Sequence, residues 1–216
     1  MSKIALFGAT GTIGSRIVDE ALRRGHHVTA VVRDPSKYTK TDARLAVTAG
    51  DVLDPESVAS VAEGQDVLVS AVGGGDGPGH TATIKPSAES LVTGLREAVD
   101  HAPRLIAVGG AGSLRTPAGS LVWDAEGLSE DILQVMHAHG DALDVYRRVQ
   151  DLEWTNCSPP ASIQPGERTG TYRTDLDDLV VDDEGNSHIT TEDYAVAIVD
   201  EIERPQHIGE RFTVGY

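Results

Sequence analysis

Cysteine is almost absent from this chain, with Cys157 alone among 216 residues. A single cysteine excludes an intramolecular disulfide framework and every zinc site built from several thiolates. Long apolar runs are also missing, since none approaches the roughly 20 residues that a membrane-spanning helix needs. Because residues 1–3 lead directly into a strand pattern, no signal peptide is expected. We therefore expect a cytoplasmic protein without a membrane partner.

Basic residues are scarce as well, at 18 Lys plus Arg against 34 Asp plus Glu, which gives a net charge of −16. Such a surface repels phosphate backbones, so no nucleic-acid partner is expected. The hydrophobic fraction of 39% and the charged fraction of 24% are those of an ordinary globular protein. The length predicts one domain over residues 1–216.

Short apolar strands alternate with amphipathic helices along most of the chain. Strands are predicted at 3–7, 28–32, 45–49, 67–72, 104–108 and 153–157, and helices at 12–24, 55–63, 86–100 and 127–150. This alternation is typical of βαβ units with a parallel sheet covered on both faces. The predicted fold class is therefore α/β, a single-domain Rossmann fold with a doubly wound parallel sheet.

The last part of the chain, from about 153 to 216, is expected to form a small extension on the substrate side. Residues 179–181 and 188–190 flank the turn-forming segment 182–186, which predicts a small hairpin. A helix is predicted to begin at 190–193 and to end before Pro205, and a last strand is predicted at 211–214.

A glycine-rich turn lies between the first strand and the first helix and reads Gly8-Ala9-Thr10-Gly11-Thr12-Ile13-Gly14. In such a turn Gly8 allows the sharp bend, Gly11 removes the side chain where a pyrophosphate would lie, and Gly14 lets helix and strand pack closely. The amides around Thr12 and Ile13 favour an anion. The context predicts dinucleotide binding, with a plain turn as the alternative.

Two further glycine-rich loops, 73–80 and 109–120, also follow predicted parallel strands. Ligands of open α/β sheets bind beyond the carboxyl ends of strands. Two such loops at neighbouring strand ends indicate a pocket, although most loops are surface connections.

Four segments together resemble the NmrA-like, atypical short-chain dehydrogenase/reductases. They are GATGTIG at 8–14, VVRDP at 31–35, GD at 50–51, and the closing ITTEDYAVAIVDEI with FTVGY. Within that family the chain resembles the subgroup of NAD(P)H-flavin reductases, which is similar to biliverdin-IXβ reductase. The resemblance covers essentially the whole chain and implies a Rossmann fold and an NAD(P)-dependent oxidoreductase.

The residue after the second strand bears on the choice of coenzyme. An NAD site places a carboxylate about 20 residues beyond the glycine turn, where it accepts from the ribose 2′-hydroxyl. This chain has Arg33 there, whose guanidinium can bind a 2′-phosphate, although Asp34 comes next. NADP(H) is therefore predicted over NAD(H), and a surface arginine is the alternative.

The resemblance implies further positions along the cofactor. Asp51 is expected beside the adenine amino group. Residues after the fourth, fifth and sixth strands are expected to line the nicotinamide half: Ala71, Val72, Gly73, Gly109 and Pro160. Ser113 is expected as the catalytic residue, with Leu114 and Trp123 as the apolar wall of the substrate site. Ser113 is equally well a turn serine bonded to its own backbone, and Trp123 a packing residue.

The usual acid/base motif of short-chain dehydrogenases, Tyr-x-x-x-Lys, occurs after none of the five tyrosines. Hydride transfer to a planar conjugated acceptor such as flavin or quinone needs no such motif, because the proton can come from solvent. We therefore predict an NADPH-dependent reductase of a small conjugated acceptor, with flavin as a possible substrate. The alternatives are a non-catalytic NADP(H)-sensing regulatory protein, and an epimerase or specialised-metabolite reductase.

Other site types are not favoured. His137 and His139 diverge by about 200° on the predicted helix and cannot easily share a metal. The acidic segment 175–184 does not match the spacing of an EF-hand loop. No nucleophile elbow or Walker lysine follows any glycine loop. No metal is expected, and both a monomer and a homodimer remain open.

Overall fold

The computed structural model describes residues 1–98 and 101–216. Its strands are β1 Lys3–Phe7, β2 His27–Val32, β3 Leu45–Ala49, β4 Val67–Ser70, β5 Arg104–Val108, β6 Trp154–Ser158, β7 Ser162–Gln164, β8 Arg173–Asp175, β9 His188–Thr190 and β10 Glu210–Gly215. Its α-helices are α1 Thr12–Arg23, α2 Pro55–Ala62, α3 Gly77–Glu97, α4 Glu130–Arg147 and α5 Thr191–Glu203. Short 3-10 turns cover Pro35–Lys37 and Val122–Asp124.

Eight strands form the central sheet in the order β3-β2-β1-β4-β5-β6-β10-β8. Neighbouring strands pair in parallel, except for β8, which is antiparallel to β10. The chain runs outward from β1 through β2 to β3 and then returns to β4 on the other side of β1. This reversal of strand order confirms the predicted Rossmann fold and creates the crevice in which such folds bind ligands. We call the side where β1, β2, β4 and β5 end the carboxyl edge.

Helices cover both faces of the sheet, and each face has its own apolar core. On one face Ile17 of α1 and Ile198 of α5 have no exposed surface and belong to the same core cluster. On the other face Leu91 of α3 and Leu143 of α4 belong to a second cluster, which also includes residues of α2. Burial on both faces explains why the strands are continuous apolar runs rather than alternating ones.

The long helix α3 begins at Gly77, earlier than the expected start at residue 86. Its carboxylate cap is Asp76, whose Oδ1 accepts from the Gly79 amide at 2.7 Å. Pro78 is tolerated because amides in the first turn of a helix have no acceptor within that helix, so the missing N–H of proline costs no hydrogen bond. The last two residues of the predicted helix 86–100 lie outside the described residues. None of the described helices is both long and apolar enough to cross a membrane.

The hairpin expected around 182–186 is wrong in its pairing. The turn exists, because Asp182 Oδ1 accepts from the amides of Glu184 and Asn186 at 2.9 and 2.8 Å. The segments beside it do not pair with each other. Leu179 instead donates to the Arg115 carbonyl at 2.8 Å, and β9 pairs in parallel with β7. The Asp182 side chain and the backbone bond from the Asp182 amide to the Asn186 carbonyl, 2.9 Å long, close this turn without paired strands on either side.

Much of the C-terminal part is integral to the main fold. β6 and β10 are neighbouring strands of the central sheet, and α5 packs against α1 on one face. The segment between β6 and α5 interrupts the alternation of strands and helices with three short strands, of which β8 joins the central sheet beside β10 and β7 pairs with β9.

Candidate functional site

The glycine-rich turn holds β1, α1 and β4 in close contact. Gly8 has a φ of +84°, and a Cβ there would lie 2.3 Å from the Ala71 carbonyl oxygen. A Cβ at Gly14 would lie 2.1 Å from the Gly8 carbonyl oxygen. No side chain fits at such distances, so both glycines are required for the packing of the turn itself.

Gly11 differs from these two, because its missing side chain leaves open space. A Cβ there would have a single neighbour within 4 Å, the Gly8 carbonyl oxygen at 3.3 Å. Gly11 is the N-cap of α1 and offers no side-chain acceptor, and the first turn holds no acidic residue. The first intrahelical amide to find an acceptor is that of Ser15, which donates to the Gly11 carbonyl at 2.9 Å.

The amides of Thr12, Ile13 and Gly14 therefore have no acceptor within the described part of the protein. Thr10, Gly11 and Thr12 are exposed and Ile13 is half-buried, whereas Gly14 is buried, so the start of the helix lies at the protein surface. Free amides and the positive end of the α1 dipole favour an anion at this point. The chemistry of the donors and the space at Gly11 fit the pyrophosphate of a dinucleotide.

Arg33 follows β2 at the same carboxyl edge and is exposed. The neighbouring Asp34 is occupied by its own turn, where its Oδ1 accepts from the Ser36 hydroxyl at 2.6 Å. Its other oxygen lies 3.0 Å from Lys37 Nζ. The Ser36 hydrogen bond, followed by Lys37, lowers the pKa of the Asp34 carboxyl. The Asp34 carboxylate, which could repel an anion bound at Arg33, is thus paired with Ser36 and Lys37.

The other positions expected for the cofactor follow β3 and β4 at this edge. Asp51 is exposed, and its Oδ1 accepts from the Leu53 amide at 2.9 Å, which fixes its orientation. Ala71 and Val72 are half-buried and Gly73 is exposed, directly after the last residue of β4. Ala71 lies directly beside the glycine turn, because its amide donates to the Phe7 carbonyl at 3.0 Å.

The glycines after β5 make room for the protein's own side chains. A Cβ at Gly109 would lie 2.4 Å from Asn156 Oδ1, and one at Gly110 would lie 2.7 Å from His139 Cβ. A Cβ at Gly112 would lie 2.5 Å from Met136 Cβ. Glycine is therefore needed here for the close packing of α4 and β6 on the loop, a reason that sequence inspection does not reveal.

Ser113 is tied to β10 and not to its own backbone. Arg211 Nη1 donates to Ser113 Oγ at 2.8 Å, and Arg211 Nε donates to Asp177 Oδ1 at 2.9 Å. Because the guanidinium can only donate, the hydroxyl hydrogen of Ser113 remains free to donate elsewhere. The buried Arg211 is a partner that sequence reasoning missed, since 98 residues separate the two.

The two residues expected in the substrate wall differ in exposure. Leu114 has 0% exposed surface, so it packs inside the protein and presents no surface to a substrate, contrary to the expectation. Trp123 is half-buried and lies over Gly112 and Gly140, with its ring centroid 4.8 Å from that of His137. Pro160, which follows β6, is buried.

Two histidines meet at the carboxyl edge, between the ends of β4 and β5. The rings of His80 on α3 and His139 on α4 have centroids 5.7 Å apart. A Cβ at Gly73 would lie 3.7 Å from His80 Nε2, and His139 packs against Gly110. The sequence pattern relates His139 only to His137 and predicts no role for His80. The available signal was the position of His80 at the end of the glycine loop 73–80.

Comparison with known proteins assigns the family. The sequence model of the NAD(P)H-binding family matches residues 8–205, from the first glycine of the turn to the residues after α5. The chain belongs to this family. The predictions of a Rossmann fold and of an NAD(P)H-dependent reductase of the atypical short-chain dehydrogenase/reductase type are confirmed at the level of the family.

Three solved structures of relatives resemble this member of the NAD(P)H-binding family over nearly their full length. A candidate exported protein from Burkholderia pseudomallei is 45% identical, with complete coverage of both chains and a TM-score of 0.88. A candidate epimerase from Bacteroides thetaiotaomicron is 40% identical, with 100% of this chain and 97% of that one covered and a TM-score of 0.89. A candidate NADH-flavin reductase from Streptococcus pneumoniae is 30% identical, with 100% and 99% covered and a TM-score of 0.86.

Proposed function

We propose that this member of the NAD(P)H-binding family is an NADPH-dependent reductase that passes hydride to a planar conjugated acceptor such as a flavin or a quinone. The observation that carries the proposal is the carboxyl edge itself. It offers free amides for a pyrophosphate at the start of α1, an exposed Arg33, and no Tyr-x-x-x-Lys pair beyond β5. The name of the Streptococcus pneumoniae relative supports the same reaction class.

The chain's own residues divide the work of holding the cofactor. The amides of Thr12 and Ile13 bind the pyrophosphate, Asp51 lies on the adenine side, and Val72 and Gly73 line the path to the nicotinamide. The bound dinucleotide supplies the hydride. Ser113 Oγ accepts from Arg211, and its hydroxyl hydrogen is the group that would be donated at the nicotinamide end of the site. Orientation of two reactants and exclusion of water are the main tasks that remain for the protein.

The choice of NADPH rests on Arg33. Its guanidinium can bind a 2′-phosphate through two N–H groups, a charge-assisted contact of ~1.5–3 kcal/mol, or about tenfold to over a hundredfold in affinity. Asp34 interferes little, since Ser36 and Lys37 hold its carboxylate. Because the Streptococcus pneumoniae relative is named for NADH, coenzyme choice in this chain needs a direct test.

The test measures dissociation constants for NADPH and NADH by calorimetry. Wild type is expected to prefer NADPH, Arg33→Ala to bring the two constants close together, and Arg33→Asp to reverse the preference. Arg148→Ala is the matched control, because Arg148 is an exposed arginine at the end of α4, shortly before β6 begins, and so lies near the amino ends of the strands rather than at the carboxyl edge. Equal affinities in wild type, or an unchanged ratio in Arg33→Ala, would contradict the NADP assignment.

Turnover is tested separately by anaerobic stopped-flow absorbance of NADPH with a panel of flavins and quinones. Acceptor-dependent oxidation of NADPH supports the reductase. Tight NADPH binding without oxidation by any acceptor favours the alternative of an NADP(H)-sensing regulatory protein.

The name of the Bacteroides thetaiotaomicron relative favours an epimerase as a second candidate. An epimerase would interconvert two epimers of its substrate with no net loss of reduced coenzyme.

A further inference from the structure

The proposed function leaves the histidine pair at the carboxyl edge, His80 and His139, without a task. His80 lies in the first turn of α3, and His139 lies in the middle of α4. Both rings are partly buried, between the loop after β4 and the loop after β5. The proposed nicotinamide end of the site is bounded by the same two loops.

A backbone carbonyl sets the tautomer of His80. His80 Nδ1 lies 2.9 Å from the Asp76 carbonyl oxygen, and since a carbonyl can only accept, Nδ1 carries a hydrogen and donates. The remaining nitrogen, Nε2, is then a proton acceptor in the neutral ring and a proton donor in the charged ring. Nε2 is also the atom near Gly73, where a Cβ would lie 3.7 Å away.

The second imidazole of the pair, His139, is uncharged near neutral pH and is not the proton donor considered below. Burial, with a further contribution from His80, lowers the pKa of His139 to about 4. The Asp76 carboxylate caps the Gly79 amide at 2.7 Å. The first turn of α4 reaches this region through the backbone of Asp131, which lies 2.9 Å from a Cβ placed at Gly77.

We propose that His80 is the proton donor of this site and transfers the Nε2 proton to an oxygen or nitrogen of the acceptor as the hydride arrives. This inference rests on the proposed reductase function. The hydride carries two electrons, so the nicotinamide is oxidised and the acceptor is reduced and gains negative charge. The His80 Nε2–H bond breaks, a bond between that hydrogen and the acceptor forms, and His80 then regains a proton from solvent. One hydride and one proton enter the acceptor, so atoms and charge balance.

The role predicted for His80 differs from a solvent proton source in its kinetic signature. General acid/base groups typically contribute ~10²–10⁴-fold to the rate. We therefore expect His80→Ala to lower turnover by about a hundredfold or more while the dissociation constant for NADPH changes little. Added imidazole should restore part of the activity of His80→Ala, because it can occupy the space of the deleted ring. Wild type should show a solvent deuterium isotope effect that His80→Ala loses.

Two further variants keep the test interpretable. His80→Asn retains an N–H group for the Asp76 carbonyl but has no titratable nitrogen, so it should fold like wild type and be as slow as His80→Ala. His27→Ala is the matched control, because His27 is an exposed histidine at the opposite end of the strands, at the start of β2. Its turnover should equal that of wild type.

The outcomes separate this inference from the function on which it rests. If wild type oxidises NADPH with an acceptor and both His80 variants stay within about threefold of it, the proton comes from elsewhere and the inference is wrong while the reductase stands. If wild type binds NADPH but reduces no acceptor, both are wrong. Loss of turnover in both variants, with imidazole rescue and intact NADPH binding, supports the inference.

Discussion

The two helices that pack together on one face of the sheet, α1 and α5, begin in opposite ways. At the start of α5 the Thr190 hydroxyl caps the Asp193 amide at 3.1 Å, and Glu192 and Asp193 occupy the first turn. At the start of α1 the N-cap is Gly11, with no side-chain cap and no acid in the first turn. The chain has 34 acidic residues, but none of them lies at the N-cap or in the first turn of α1, which begins at the carboxyl edge beside β1.

The Asp193 carboxylate in the first turn of α5 is bound on both oxygens by groups of the protein itself. Asp193 has 0% exposed surface and accepts from the Thr169 hydroxyl, the Gly170 amide and the Tyr216 hydroxyl at 2.5, 2.7 and 2.6 Å. The Asp193 carboxylate thus neutralises the positive end of the α5 dipole. Its hydrogen bonds also hold the segment at 169–170 and the C-terminal Tyr216 in place. The same physical preference for an anion is left unsatisfied at α1. The difference separates a helix start that stabilises the fold from one that can bind a ligand.

The largest expected effect comes from giving α1 a start like those of the other helices. Gly11→Asp adds a carboxylate at the N-cap, as Asp54 and Asp76 do for α2 and α3. The carboxylate should occupy the free amides and repel the pyrophosphate, weakening NADPH binding by about a hundredfold or more. The helix itself should gain ~0.5 kcal/mol. Calorimetric dissociation constants and urea unfolding measure the two effects.

Gly11→Ala is the control for this substitution, because it adds a Cβ without a charge. Its Cβ would meet only the Gly8 carbonyl oxygen at 3.3 Å. Binding should fall less than in Gly11→Asp, and stability should not rise. If Gly11→Asp binds NADPH as tightly as wild type, the start of α1 is not the pyrophosphate site. The starts of α1 and α5 would then differ in their caps but not in ligand binding.

The converse change removes a carboxylate from α5. Asp193→Asn leaves the donors of Thr169, Gly170 and Tyr216 with a weaker, uncharged partner, so we expect a loss of ~2–3 kcal/mol in the free energy of unfolding. NADPH affinity should change little, since α5 starts with its own acceptors. A large loss of NADPH affinity at unchanged stability would show that the two helix starts do not divide their roles in this way.

The pH dependence of this loss provides a second measurement. Burial acts to raise the pKa of Asp193, but hydrogen bonds from Thr169, Tyr216 and the Gly170 amide outweigh it and lower the pKa. A lowered folded-state pKa means that the stabilisation is present above the unfolded value of about 4 and is lost as pH falls through the folded value. The stability gap between wild type and Asp193→Asn should therefore shrink below about pH 4.

The smallest effect is expected at the contact that joins the two helix starts. Arg16 Nε lies 2.9 Å from Glu192 Oε1, with exposed fractions of 36% and 22% for the two side chains. Partly exposed pairs contribute ~0.2–1 kcal/mol, so Arg16→Met should lower the free energy of unfolding by no more than that. A change in NADPH affinity as large as that of Gly11→Asp would mean that the two helix starts are coupled rather than independent. Paired unfolding and binding curves for wild type and Arg16→Met decide this.

Elements with strong local signals were predicted well, and those that depend on distant partners were not. The strands β1, β3 and β5 match the predicted boundaries, because each is an apolar run bounded by turn residues. The three-residue strands β7, β8 and β9 carry little periodicity. The pairing of β7 with β9 joins residues about 26 apart, beyond the range of any local pattern.

The same division holds within the candidate site. The glycine turn after β1 and the position of Arg33 after β2 were recognisable because both follow directly from the ends of predicted strands. The contact of Ser113 with Arg211 and that of His80 with His139 join residues 98 and 59 positions apart along the chain. Leu114 was misplaced because an apolar residue in a loop can turn either toward a ligand or into the core.

By itself the amino-acid sequence determined the α/β alternation, the glycine turn that leaves amides free at the start of α1, and the arginine at the end of β2. Each of these depends on backbone geometry and side-chain chemistry within a few residues. Only the tertiary structure decided that the glycines after β5 accommodate α4, that Asp193 neutralises α5 from within, and that two histidines from different helices meet at the carboxyl edge. Such contacts arise when helices pack on a common sheet, and the packing energy that selects them is a property of the whole core rather than of any local segment.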